Sequence, residues 1–313
     1  MIDFTGKSVL VTGGNGAIGS NLVTKLLHLN ARVKVLDDFS QSNKGNLFPH
    51  KKLQIIKGDI TNEKILKKVF SRKYDYVFHL AARFANELSI KDPKEDLRVN
   101  VQGTLQLLLH SAKQNVKRFL YTSSSSIYGP QKTILLKEHI IPKPSTPYAA
   151  SKLSAEYYCL AINELSGLNY SIIRLSNSYG PADPPGRYRN VIPNFMKAAI
   201  IGKKLVITGS GNETRDFTYI DDCVKGIILA ATSKHGKNQI FNLGTGKETK
   251  IKNLAKMILN ITKSRSKIIF KPMRSFDHIK NRKMDISKAK KLLGYNPSTD
   301  MKTGLEKTYE WFT

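Results

Sequence analysis

Tyr148 and Lys152 stand four residues apart where Pro147 gives way to an apolar-periodic segment running through Tyr157 and Leu160. That spacing places both side chains on one face of a helix. A phenol has a pKa near 10 and is a poor base at neutral pH. An ammonium fixed beside it, together with the positive charge of an oxidised nicotinamide, stabilises the phenolate and brings it toward the working range. Two unrelated surface residues are the plain alternative for any Tyr-x-x-x-Lys. The segment Ser123-Ser124-Ser125-Ser126-Ile127-Tyr128-Gly129 tips the balance, because it directly follows the strand-like Phe119-Leu120-Tyr121, at the carboxyl edge where a parallel sheet places its ligands. A serine hydroxyl there can bond the substrate oxygen whose proton goes to Tyr148, although a serine-rich turn is the simpler reading. A Ser-His-Asp hydrolase finds no support: the serines lack a Gly-x-Ser-x-Gly elbow, and no His is placed by motif to serve them.

A second constellation opens the chain. Gly13, Gly16 and Gly19 in Thr12-Gly13-Gly14-Asn15-Gly16-Ala17-Ile18-Gly19 have the spacing that turns the chain tightly, lets backbone approach a pyrophosphate and packs helix against strand. No Gly-Lys-Ser/Thr follows, so this is not a P-loop. The next strand-like run ends in Asp37-Asp38, where a carboxylate would accept the adenosine ribose hydroxyls and repel a 2′-phosphate, favouring NAD over NADP. Asp59, in Gly58-Asp59-Ile60 after the third strand, is placed to reach the adenine amine, or is a plain loop acid.

These residues need elements to hold them. Val9–Val11, Val33–Leu36, Leu53–Ile56, Tyr76–Leu80, Phe119–Tyr121 and Tyr170–Ile173 are short runs rich in β-branched or aromatic residues. They alternate with helix-period segments such as Ile18 to Leu29. Strict alternation implies an α/β fold, a Rossmann-type doubly wound parallel sheet with helices on both faces. Past Tyr179 the rhythm breaks at Pro184-Pro185-Gly186 and a basic cluster. A helix from Ile192 to Ile201, strands at Leu205–Ile207 and Phe217–Ile220, a helix over Cys223 to Ala231 and a strand at Gln239–Leu243 follow, and the remainder reads as helical and Lys-rich. The expected division is a dinucleotide-binding domain of residues 1–175 plus 217–244 and a smaller α/β substrate-binding lobe of 176–216 plus 245–313.

Composition bounds the reading. The 313 residues suffice for two lobes, and 40% hydrophobic with 24% charged is a globular balance. Lys+Arg 51 against Asp+Glu 24 gives a net charge of +27, which invites a nucleic-acid or membrane-surface partner. Only 12 of those cations are Arg, the side chain suited to bidentate phosphate and base contacts. The simpler account is a drift toward Lys at solvated positions, and neither nucleic acid nor membrane is expected. Cys159 and Cys223 are far apart and suggest neither a disulfide framework nor a metal site. No signal segment and no run near 20 apolar residues is present, so a soluble, cytoplasmic protein is expected.

Taken in order, the glycine loop, Asp37, His79-Leu80-Ala81-Ala82, the serine segment, Tyr148-Ala149-Ala150-Ser151-Lys152 and Arg174-Leu175-Ser176-Asn177-Ser178-Tyr179-Gly180 resemble the extended short-chain dehydrogenase/reductase superfamily. Within it the chain is most similar to nucleotide-sugar enzymes of the UDP-glucose 4-epimerase type. The resemblance implies Ser124, Tyr148 and Lys152 as the catalytic residues. It implies NAD held by Gly13, Gly16, Ala17, Ile18, Gly19, Asp37, Asp38, Asp59, Ile60, Leu80, Ala81, Ala82, Asn100, Tyr148, Lys152 and Leu175. A nucleotide-diphosphate sugar would meet Ser125, Ser126, Asn177, Arg187, Asn190, Val191, Arg215, Arg274 and Asp277, the arginines suiting a diphosphate. For Arg215 the competing expectation is a salt bridge to Asp216 or Asp222. A homodimer is also implied, through a four-helix bundle to which Leu105, Leu108, Leu109, Ala155, Tyr158 and Cys159 would contribute.

The sequence departs from related patterns twice. Ser125 and Ser126 stand where sugar 4,6-dehydratases of this fold carry Asp-Glu, which argues against elimination. Pro184-Pro185-Gly186-Arg187-Tyr188-Arg189 is unusually basic for the epimerases, so the base is left open between UDP and GDP. The expected reaction is 4-epimerisation through reversible C4 oxidation to a 4-keto sugar. A net C4 dehydrogenase on the same residues is the nearest alternative, and a non-catalytic NAD-sensing or nucleic-acid-binding protein the more distant one. Residues 263–291, dense in Lys and Arg, flank the expected diphosphate site.

Overall fold

A computed structural model of the chain describes residues 2–42, 45–84, 86–274 and 279–313. The first half runs β1 (Ser8–Thr12), α1 (Ala17–His28), β2 (Arg32–Asp37), β3 (Leu53–Lys57), α2 (Glu63–Val69), β4 (Tyr76–His79), α3 (Asn86–Lys91), α4 (Pro93–Leu97), a π-helical turn (Arg98–Gly103), α5 (Thr104–Lys113) and β5 (Arg118–Ser124). It continues through β6 (Leu135–Leu136), α6 (Pro147–Ser166), β7 (Tyr170–Leu175), β8 (Asn177–Tyr179), α7 (Val191–Ile200) and β9 (Leu205–Thr208). Then come β10 (Thr214–Arg215), β11 (Phe217–Tyr219), α8 (Ile220–Thr232), β12 (Gln239–Leu243), β13 (Thr249–Lys250), α9 (Ile251–Ile261), β14 (Ile268–Lys271), β15 (Lys283–Met284), α10 (Ser287–Leu293) and α11 (Met301–Phe312).

Seven strands pair in parallel in the order β12-β7-β5-β4-β1-β2-β3. From β1 the chain steps outward through β2 and β3, then returns to the other side of β1 and continues outward from β4. The crevice between the carboxyl ends of β1 and β4 is the switch point of such a sheet, where ligands bind. Both faces are covered, which is why the central strands are continuous apolar runs: Val9, Leu10 and Val11 are all fully buried, and so are Val35 and Leu36. One apolar cluster gathers Val11, Leu22 and Val33 with Ile220, Leu254 and Leu305, so the last third of the chain shares the core of the first. A second cluster, on the opposite face, gathers Leu10, Leu66, Leu107 and Phe119 with Cys159 and Ile162 of α6.

Three differences from the sequence reading stand out. The carboxyl-terminal third is not simply helical: β14 pairs with β9, and β15 with β6, both in parallel. Strands of two to four residues depend on a distant partner, and periodicity within the segment does not register them. Second, α8 begins at Ile220 directly out of β11, with Asp222 accepting the backbone N–H groups of Ser298 and Thr299 at 3.0 Å each. Third, Leu108, Ala155 and Cys159 are fully buried within the chain. They belong to the intramolecular α5/α6 contact; of the residues proposed for a dimer seam, Leu109 and Tyr158 are the exposed ones. Among the described residues no helix is long and apolar enough to cross a membrane.

One buried polar knot ties α6 to the sheet. Glu156, one helical turn beyond Lys152, accepts from Arg174 Nη2 of β7 at 2.8 Å and from Ser123 Oγ of β5. Arg174 Nη1 in turn donates to the Tyr128 hydroxyl at 3.0 Å and the Glu138 carbonyl at 2.8 Å. Both members of the ion pair are almost wholly excluded from water, so removing one strands the other. Glu156→Ala is expected to lower unfolding free energy by about 3–5 kcal/mol in urea titration; a loss under about 1 kcal/mol would show that α6 does not depend on this pair.

Candidate active site

The glycine loop closes over the carboxyl end of β1. Gly13 has φ +69°, and a Cβ there would lie 2.6 Å from the backbone N of Ala81, after β4. A Cβ on Gly19 would lie 2.0 Å from the Gly13 carbonyl oxygen, so the absence of side chains lets α1 start tight against the loop. The amino end of α1 has no side-chain cap and no acid in its first turn. Its N–H groups are thus available to an anion such as a pyrophosphate. These features fit a dinucleotide. Asp37, at the end of β2, is buried with its carboxylate toward this loop: Oδ2 accepts Asn15 N–H and Oδ1 accepts Phe39 N–H, each at 2.8 Å. Burial raises its pKa, opposed by those two bonds. Asp38 turns instead to Ser40, accepting its N–H at 2.9 Å and hydroxyl at 2.7 Å.

One cleft of about 620 Å³ is lined by Gly13, Gly16, Ala17, Ile18, Gly19, Asp37, Asp38, Asp59, Ile60, Leu80, Ala81, Ala82 and Leu175. It also takes in Ser124, Ser125, Ser126, Tyr148, Lys152, Asn177, Arg187, Asn190, Val191, Arg215 and Arg274. The sequence-derived set is therefore drawn into one place, with two qualifications. Asn100 does not line the cleft: its amide is engaged behind the wall, accepting Arg83 N–H at 2.8 Å and donating to Asp96 at 3.0 Å and Ser151 at 3.2 Å. It braces the loop after β4, where the sequence reading had it contact cofactor. Asp277 lies outside the described residues. Asp59 is ion-paired with Arg98 at 2.8 Å and accepts Thr61 N–H; although burial opposes it, these bonds hold its carboxyl below the usual range. Arg215 donates to the carbonyls of Thr214 and Lys280. Asp216 is engaged by the N–H groups of Thr245, Gly246 and Met284, and Asp222 by those of Ser298 and Thr299.

Tyr148 sits in the first turn of α6, a helix begun by Pro147 and capped by Thr146, whose Oγ1 accepts Ala149 N–H at 3.2 Å. The edge of Phe84 packs against the Tyr148 ring at 5.9 Å between centroids, and Ser124 lines the same cleft. Lys152, one turn on, is 3% exposed. Its Nζ donates to the Thr122 carbonyl at 2.9 Å and lies 4.9 Å from the Tyr121 ring centroid and 6.0 Å from that of Tyr148. Burial raises the Tyr148 pKa, with the neighbouring Ser124 opposing. His79, in the same neighbourhood, is structural. Its ring nitrogens are engaged by Thr12 and Thr104 hydroxyls at 2.7 and 2.8 Å, and burial holds it neutral.

Several residues of the site carried no sequence signal. Asp96, buried behind Lys152, is pushed up by desolvation while Ser151 and the Lys152 charge pull it down. Phe84, Asp183 and Arg282 also line the cleft. None falls in a spaced motif; only a period of four from Tyr148 through Lys152 to Glu156 was available to point beyond the pair.

A family model described as "NAD dependent epimerase/dehydratase family" matches residues 9–244. The chain is 34% identical over 307 residues to the UDP-glucose 4-epimerase of Mycolicibacterium smegmatis, covering 97% of each. It superposes with TM-score 0.97 and 39% identity on an epimerase from Methanothermobacter thermautotrophicus, covering 99% of this chain and 93% of that one. With the UDP-glucose 4-epimerase of Thermus thermophilus, solved as a complex with NAD, the TM-score is 0.90 at 28% identity, covering 97% and 98%.

Two outcomes follow from the geometry. Gly13→Ala should weaken NAD binding by at least about a hundredfold in a calorimetric titration, because the loop must move off Ala81; unchanged affinity would mean the loop is not the pyrophosphate seat. Burial lowers Lys152 from an ordinary value of 10.5 to about 8, with Asp96 and Glu156 opposing. Between those values the unfolded chain holds a proton the native chain has released, so this group's contribution to stability rises with pH from 8 toward 10.5. In urea unfolding of the cofactor-free protein, the stability of wild type minus that of Lys152→Met should grow from pH 8 to pH 10.

Proposed function

Since the chain belongs to the NAD dependent epimerase/dehydratase family, we propose that this nucleotide-sugar enzyme is a 4-epimerase, using its Ser124–Tyr148–Lys152 site for reversible oxidation at sugar C4. The observation that carries the reading is the placement of the half-buried Ser124 and the buried Tyr148 and Lys152 in a single cleft with the glycine loop and with Arg187, Arg215 and Arg274. Bound NAD would supply both the hydride acceptor and the hydride donor of one cycle, so the net reaction would need no outside oxidant.

The protein's part is acid–base work and anchorage. Tyr148, as phenolate, takes the C4 hydroxyl proton while Ser124 holds the oxygen. The Lys152 ammonium favours that phenolate through its field. The positive charge of the bound oxidised nicotinamide acts in the same sense, offsetting the upward push of burial on Tyr148. The diphosphate, held by arginines of the second lobe, acts as a swivel about which the 4-keto sugar presents its other face, and Tyr148 then returns the proton to the new C4 alkoxide. A net C4 dehydrogenase would share the first half and stop there. Retention of Ser124, Tyr148 and Lys152 together weighs against a non-catalytic cofactor sensor. The dimer implied by resemblance belongs to the same proposal, with Leu109 and Tyr158 as the exposed residues available to it.

Tyr148→Phe should lower kcat by about 10²–10⁴-fold, the usual worth of a positioned acid–base group. NMR of products from UDP- and GDP-sugars incubated with the NAD-loaded protein decides between reactions. An inverted C4 centre is expected; a keto product with stoichiometric NADH would replace the epimerase with the dehydrogenase, and near-normal turnover by Tyr148→Phe would sink both.

A further inference from the structure

The excess of cations is not spread evenly. Residues 184–212 and 249–276 hold no Asp or Glu between them, against 13 Lys and Arg. The fold brings these two acid-free stretches together: α7 and α9 pack against one another and on β9, and β14 pairs with β9 in parallel. Phe195, Met196, Leu205, Leu254 and Ile258 give this unit its buried apolar side, which leaves its charges on the outside.

One end of the unit meets the cleft and the other points away from it. Val206, Ile207 and Thr208, toward the carboxyl end of β9, line the cleft. At the amino ends of β9 and β14 two turns lie side by side, residues 201–204 after α7 and residues 262–267 after α9. Ser264 Oγ joins them by donating to the Ala199 carbonyl at 2.7 Å, and Leu205 N–H by donating to the Lys267 carbonyl at 3.0 Å. Gly202 and Lys263 both take left-handed φ, +68° and +50°, so the chain reverses tightly at each turn. Lys203, Lys204, Lys263, Arg265 and Lys267 are all exposed here, and so is Ile201 beside them, at 46%. None of the five cations lines the cleft, and among the described residues none is in an ion pair. Helix dipoles do not account for the set: α9 has no basic residue in its last turn and α7 only Lys197, while these five lie beyond both helices.

We infer that this pair of turns is a docking surface for an anionic phospholipid bilayer, to which the enzyme binds peripherally. Five cations gathered without a counter-charge repel one another, and an external anionic surface turns that repulsion into attraction. Four of the five are Lys, a compact point charge suited to a dense field of lipid phosphates, whereas a reader of nucleic acid favours the planar fork of Arg. Ile201 adds an apolar side chain at the level of the charges, which a headgroup layer can receive. Docking through the amino ends of β9 and β14 leaves the cleft clear for a soluble nucleotide sugar. Spread evenly, the net charge would call for no such partner; its concentration at one end does.

The test is sedimentation of the NAD-loaded protein with vesicles of phosphatidylcholine, alone or mixed with an equal part of phosphatidylglycerol, at about 0.1 M salt. Each cation close to an anionic surface is worth about fivefold in affinity. Wild type should therefore bind the mixed vesicles at least about a hundredfold more tightly than the neutral ones. The variant Lys203→Gln/Lys204→Gln/Lys263→Gln/Lys267→Gln should weaken that binding by about a hundredfold or more. A control, Lys64→Gln/Lys67→Gln/Lys68→Gln/Lys73→Gln, removes the same charge from exposed positions in and after α2, on the other face of the sheet, and should weaken it by less than about fivefold.

No preference for the mixed vesicles would overturn the inference. Equal weakening by the two variants would do the same, since net charge alone would then be the cause. Short duplex DNA is the competing polyanion: if it binds wild type more tightly per phosphate than the mixed vesicles do, the surface belongs to nucleic acid and the lipid assignment falls. Every substituted side chain is exposed, so both variants should fold, which far-UV circular dichroism checks, and the wild-type comparison of the two vesicles decides without them.

Discussion

Everything at the reacting end depends on keeping one ammonium out of water. Lys152 is in α6, and its Nζ lies under the end of β5, held by a single backbone carbonyl, that of Thr122, with the Tyr121 ring below. An isolated buried cation of this kind would lose its proton or open the fold. Two carboxylates, Asp96 and Glu156, oppose that loss through their fields, and each is anchored to a different part of the sheet's covering layer. The placement of α4, the π-helical turn and β7 can be read as the means of bringing those carboxylates within range. Tyr148 and Ser124 inherit their positions from the same arrangement, since one opens α6 and the other ends β5.

Sheet topology explains why cofactor and substrate groups share one cleft. The order of strands reverses between β1 and β4, leaving a gap at their carboxyl ends. Gly13 faces Ala81 across that gap at a distance no Cβ would tolerate, so the two loops define one wall. Segments from far along the chain close the other side. Asn21 of α1 bonds the Pro181 carbonyl at 3.1 Å, and Arg189 bonds the Gln41 carbonyl, tying the basic segment noted in the sequence to the loop after β2. The unusual basic stretch is therefore partly a clasp on the loop after β2.

Local spacing made the cofactor half of the site legible. Three glycines, an acid ending the second strand, and a Tyr-x-x-x-Lys pair each express a constraint contained within a few residues, so the sequence exposes them directly. Asn100 shows the limit of transfer by motif: its type was right for a cleft polar group, but Asp96 and Ser151, which its amide meets, draw it behind the wall. Glu156 and Arg174 were invisible for the opposite reason. They are 18 positions apart and meet only because α6 packs across β5 and β7. Strands β14 and β15 are likewise created by partners 63 and 148 residues away, Leu205 facing Ile268 and Leu135 facing Lys283.

The net charge of +27 contributes to this chemistry through position, not number. Most of the surplus is Lys on solvated faces, where water and salt screen each charge within about 10 Å. Such lysines raise the general attraction for an anionic nucleotide sugar but distinguish no part of it. A cation held out of water, such as the 3% exposed Lys152, is different: it is shielded from that screening, and the effective dielectric around it is far below that of water. Residues 263–291 look in composition like one basic stripe, yet of the two exposed cations Lys271 and Arg274 only Arg274 lines the cleft, so neighbours in sequence have unequal weight. Place in the fold, not number, therefore decides which cations meet the cleft, and to the cleft the remaining surface excess contributes only a raised potential around it.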